Sequence, residues 1–160
     1  MNSPKTFTEA EAERFFAIQF HGKTWELLDK PDHTAEEKEL LKDYAHASLA
    51  HWRVTGTPLN EQRGLWMLSR IYNVLGQVES ALYYAQRCQE LTLRHKDLMQ
   101  DFDIAFAFEA LARAHALAGD QEDAHNYLIQ AKEAGNNILD KEDLKVFLGD
   151  LTGGNWHGLK

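Results

Sequence analysis

Cysteine occurs once, at Cys88, and proline three times, at Pro4, Pro31 and Pro58, in a chain of 160 residues. A single cysteine excludes an internal disulfide and a cysteine-based zinc cluster, and it fits a reducing compartment. No run approaches the length of apolar sequence that a membrane span needs, and residues 1–5 carry no apolar signal core. Positive charge is also scarce, since 17 Lys and Arg stand against 25 Asp and Glu, a formal charge of −8. That balance argues against nucleic acid or an anionic membrane as the main partner, because both are bound by basic surface that displaces counterions. The expectation is a soluble, cytoplasmic, single-domain protein whose 44% hydrophobic residues can form a core without a metal or disulfide staple.

What is present is helical periodicity. Thr8 with Glu11, and Thr34 with Glu37, have the spacing of capping boxes, and they open candidate helices running to about residue 28 and to about Gly56. Gly22 is a candidate bend in the first. A third helix is expected after Asn60, closing at Gly76 and burying Leu65, Leu68, Tyr72 and Leu75. A fourth covers about 78–95 and a fifth about 99–118, with Gly119 as its stop. Asp120 caps a sixth to about Ala134, and a seventh starts near Lys141. No segment alternates like a strand, so the fold class is all-α.

Seven positions repeat at a constant offset of 43 residues. The run Leu65, Leu68, Tyr72, Gly76, Ala81, Ala85 and Cys88 aligns with Phe108, Leu111, His115, Gly119, Ala124, Leu128 and Ala131. In this pattern of large, leucine, aromatic, turn glycine, small, large and small, the chain resembles the tetratricopeptide repeat (TPR) family. The resemblance implies a TPR-like α-solenoid of three antiparallel helical hairpins plus a C-terminal capping helix. Residues 8–56 are then a divergent amino-terminal hairpin, 60–96 and 99–135 two repeats, 140–151 the cap, and 152–160 a flexible tail. The period exceeds the family's by about nine residues. The stretches 45–52 and 103–110 are also similar to bacterial helical proteins, a likeness that implies no activity.

In the TPR family the helix faces opposite the packing stripe line a concave groove for peptides. The matching face here carries Arg63, Trp66, Arg70 and Asn73 on the third helix, and Phe106, Glu109 and Arg113 on the fifth. Arginine forks hold carboxylates by paired hydrogen bonds and the rings offer flat apolar contact, so a peptide with an acidic residue or a free carboxyl terminus is the expected ligand. Lysine and asparagine, which the family's carboxylate-binding groove uses, are replaced by Trp66 and Arg70, so the chaperone-tail version is not supported. In the competing reading Glu109 pairs with Arg113 at i,i+4 on a solvated face and the arginines do nothing specific.

Catalysis is not expected: no nucleophile elbow or glycine-rich phosphate loop occurs, and Cys88 holds a small-residue packing position. No cofactor is implied. Nor is a metal, since His46 and His51, five apart, point about 140° from one another on a helix. His115, matched with Tyr72, is expected in the core. Phe15, Phe16, Phe20 and Trp25 are expected to be mostly core, with part available to cover a second subunit in a homo-oligomer. The chain is therefore read as a non-catalytic peptide-binding module. The alternatives are a small-molecule or metal-binding protein with Glu109, Arg113 and His51 in a pocket, and a self-assembling structural module.

Overall fold

The computed structural model describes residues 3–159, and among these it is all-helical, with seven α-helices and no strand. The helices are α1 (Glu9–Leu28), α2 (Ala35–Thr55), α3 (Pro58–Val74), α4 (Val78–Arg94), α5 (Asp101–Ala118), α6 (Gln121–Gly135) and α7 (Lys141–Thr152), with a 3-10 turn at Lys96–Leu98. No helix among the described residues is long and apolar enough to cross a membrane.

Both capping boxes form. Thr8 and Thr34 accept from the N–H groups of Glu11 and Glu37, and each glutamate accepts in return from the threonine N–H at 2.9 Å. Asp120 accepts from the Asp123 N–H and so starts α6, and Gly119, at φ +82°, ends α5. Three boundaries differ from expectation. Gly22 sits inside a continuous α1, where a single glycine lowers helix stability by about 1 kcal/mol without breaking it, and Ala17 and Thr24 on either side of it are buried. The third helix begins at Pro58, upstream of Asn60: proline has no N–H to satisfy at the first helical position, and Asn60 Oδ1 accepts from the Thr57 N–H. The fifth begins at Asp101, where the Gln100 N–H donates to Asp103 Oδ2.

The chain divides into two compact units, Met1–Gly64 and Leu65–Lys160. In the first, α1 packs on α2. Leu41, Ala45 and Leu49 of α2 are buried, and the Ser48 hydroxyl donates to the Ala17 carbonyl at 2.7 Å, fastening the pair where both side chains are small. Phe15 and Phe16 are exposed, correcting the reading of that aromatic cluster as core, whereas Phe20 and Trp25 are half-buried. The rings instead form a ladder along one edge, Phe16 over Phe20 and Phe20 over both Tyr44 and His51. In the second unit α5 is the hub, packing against α4, α6 and α7. Ala81 and Ala124, at the small positions of the repeat, are fully buried, as are Ala85 and Ala131. Gly135 allows the close approach of α6 and α7, since a Cβ there would lie 2.5 Å from the Phe147 ring.

Candidate functional site

Helix α5 is apolar on every side, with Ala105, Ala107, Ala110, Leu111, Ala112, Ala114 and Ala116 all buried. A helix of that kind has no solvated face along its middle, so charged residues placed there are buried with it. Arg113 is 2% exposed and Glu109 1%. Their i,i+4 pairing forms, Arg113 Nε donating to Glu109 Oε1, but in the interior and not on the solvated face expected of it. The other carboxylate oxygen, Oε2, accepts from the Trp66 indole at 2.9 Å. Arg70 Nη1 lies 3.7 Å from Oε1. Asn73 Nδ2 donates to the Arg113 carbonyl at 2.9 Å, and Phe106 meets the Trp66 ring edge-on at 5.2 Å.

The structure thus brings six of the seven predicted residues together in the second unit. Arg63 belongs to the first, where its charge adds to burial in holding His21 below the usual histidine range. Of the six, only Arg70 retains appreciable exposure, at 18% of its side chain. The space enclosed by Trp66, Ser69, Arg70, Asn73, Glu109 and Arg113 is too small for a water molecule. An open concave groove is therefore corrected to a filled cleft.

Residues of the segment after α7 fill it. That segment was expected to be a loose tail on its glycines and polar residues. It is instead seated through main-chain carbonyls: Arg113, whose Nη2 also donates to Asp150 O within α7, donates from Nη2 to Gly153 O at 2.9 Å and from Nη1 to Asn155 O at 3.2 Å. The Trp156 ring lies over the same guanidinium, 4.0 Å from centroid to Cζ. His157 Nε2 meets Asn73 Oδ1 at 2.9 Å, a contact in which the ring nitrogen donates. Backbone conformation makes this fit. Gly154 is at φ +73°, and a Cβ there would lie 2.8 Å from Arg70 Nη2 and 2.9 Å from Arg113 Nη1. Beyond it Asn155 Oδ1 accepts from the His157 N–H at 2.8 Å, and His157 takes the left-handed conformation at φ +52°.

The electrostatics follow from burial. Desolvation pulls the Arg113 guanidinium down from its ordinary range, Glu109 opposes that, and Arg70 adds to it. Arginine nevertheless keeps its proton in proteins, so the cleft holds two guanidinium groups around one carboxylate. His157 is held below the usual histidine range by its own burial, then by Arg113 and Arg70. This arrangement binds carbonyl oxygens and an aromatic face. It holds no nucleophile with a base beside it, and burial pushes the Cys88 thiol up to about 12, which keeps it protonated and unreactive.

Elsewhere, His115, Asp120 and Asp123 bring one ligating atom each within 4.8 Å of one another. His115 Nδ1 lies 3.3 Å from Asp120 Oδ2, and its ring stands 5.3 Å from Tyr127. Capping accounts for the carboxylates, since the Asp123 N–H holds the Asp120 carboxyl below its usual range. His115 is half-buried at the turn and not enclosed in the core as its match with Tyr72 implied. His51 pairs with Glu13 within the first unit. No protein-family model, curated protein or solved structure matches the chain.

Proposed function

We propose that the chain is a non-catalytic protein-binding module of TPR-like architecture that takes a peptide segment against the α3 and α5 side chains of its second unit. The observation that carries the reading is the Arg113 guanidinium, directed at main-chain carbonyls of a polypeptide segment laid across it. Side chains that read carbonyls and one ring are what peptide recognition needs. The repeat reading is supported by equivalent pairs: Trp66 and Glu109 stand 43 positions apart in facing places, and the stacked rings Tyr72 and Tyr84 correspond to His115 and Tyr127. The acidic peptide favoured by the sequence is less well supported, because Glu109 already sits between the two arginines.

A displayed peptide library selected against the chain ending at Thr152 tests the reading. Expected are peptides whose binding is lost with Arg70→Ala and Asn73→Ala. Peptides insensitive to both substitutions, or none at all on a folded chain, would contradict it.

A further inference from the structure

The segment that fills the cleft has a chemistry of its own. Two carbonyls, of Gly153 and Asn155, flank a glycine, and a tryptophan ring follows two residues after that glycine. Gly154 is required twice, by its left-handed backbone and by the lack of room for a Cβ against the two arginines. Any residue with a side chain would have to displace guanidinium groups that Glu109 and the carbonyls hold in place.

The hold on this segment is local and polar. Gly154, Asn155 and Gly158 are exposed, Trp156 and His157 only half-buried, whereas the Arg113 side chain beneath them is fully enclosed. A segment with so little apolar burial opens at far lower cost than the helices. When it opens, Arg113 loses two carbonyls and a ring but keeps Glu109 and Asp150 O, so its position survives and two donor directions become free.

Resting on the peptide-binding reading, we infer that the cleft of Arg70, Asn73, Glu109 and Arg113 is a receptor site for a glycine-x-tryptophan segment of a partner protein, kept shut by this chain's own copy at 154–156. The partner must supply the same groups: two carbonyls across a glycine in the left-handed conformation, and a ring to cover Arg113. Asn73 adds a preference for a donor one residue after the ring, the place of His157. Because the resident segment is tethered, it acts at an effective concentration of millimolar order, so a free segment of equal quality competes poorly until the resident one is dislodged.

The probe is a fluorescein-labelled peptide of residues 152–159 with blocked ends, titrated by anisotropy. It is added to the full chain, to the chain ending at Thr152, and to full-length Gly154→Leu, whose segment no longer seats. Circular dichroism establishes the fold of each. Expected is binding to both opened forms at least about tenfold tighter than to the full chain. The same peptide carrying Gly154→Ala should bind the opened forms about fivefold to thirtyfold more weakly. No binding to a folded, opened chain would overturn the inference. So would failure of both opened forms to fold, because the segment is then part of the core and never vacates. A doubling of mass of the full chain at high concentration that Gly154→Leu abolishes would overturn closure in cis in favour of exchange between copies. Selection of library peptides without glycine-x-tryptophan would overturn this specificity and leave the peptide-binding reading intact, whereas absence of any peptide removes both.

Discussion

The two units differ in where they keep their charges. In Met1–Gly64 the ionic contacts lie at the periphery: His51 with Glu13, Lys42 with Glu39 and Arg53 with Glu61 are all part-exposed. Large apolar side chains such as Phe7, Phe15, Phe16 and Ile18 are exposed there. Leu65–Lys160 also carries a surface pair, Arg87 with Glu90, and exposed apolar side chains such as Leu93 and Leu139, but in addition it buries the charged Asp103, Glu109 and Arg113 together with Asn73, and alanine makes its helix contacts. Alanine supplies close approach but little apolar area, so the fit of the second unit depends on its polar groups finding their partners. An exposed pair is worth little on its own, whereas a buried one costs a great deal when a partner is removed.

The largest contrast should come from removing one partner of a pair in each unit. Arg113→Ala leaves Glu109 without its nearest cation and is expected to cost about 3–5 kcal/mol in urea unfolding. His51→Ala should cost under about 1 kcal/mol. Equal losses would show that burial does not separate the two units. Removing residues 153–160 comes next. It takes away two hydrogen bonds to a charged group, the His157–Asn73 hydrogen bond and one cation–ring contact, offset by the freedom the segment regains, about 2 kcal/mol in sum. A chain of this length should then melt about 4–8 °C lower.

Two glycine substitutions set the units apart by sign. Gly154→Ala is expected to destabilise by about 1–2 kcal/mol, through its positive φ and the arginines around it. Gly22→Ala, inside α1 with nothing within 4 Å of the new Cβ, should stabilise by about 0.5–1 kcal/mol. Thermal melts of the two variants decide both signs.

The smallest effect is on pH. A histidine held below its ordinary value binds its proton more readily when the segment is released, so seating is fully favoured above about pH 6.5 and weakens as the pH falls through the lowered value. Trp156 emission should therefore shift on acidification from pH 7.5 to 5.5, and His157→Gln should flatten that shift. His21 and His46, lowered by burial in the first unit, contribute stability of the same sign. A profile unchanged by His157→Gln would assign all of the pH dependence to them.

Much of the fold was legible because it is local. Thr8 with Glu11, Thr34 with Glu37, and Asp120 are capping signals three residues wide, and all form. Helix phase likewise placed Trp66, Arg70, Asn73, Glu109 and Arg113 on facing sides, and they meet. The filling of the cleft was not legible from periodicity, since the contact of His157 with Asn73 joins residues 84 positions apart and a glycine-rich polar segment reads as loop. The burial of Arg113 did leave a signal. Alanine on all sides of residues 105–116 marks α5 as an interior helix, and an arginine within it requires an interior partner.

Nuclear Overhauser contacts between the Trp156 ring protons and the Arg113 side chain, in the full-length chain at neutral pH, report directly whether the buried arginine holds this segment. Cross-peaks from the indole to the Arg113 δ and ε protons are expected, together with a sharp, slowly exchanging Arg113 Nε–H. Trp156 resonances at random-coil positions, with no contact to Arg113, would contradict the seating of residues 153–157 and the receptor site inferred from it.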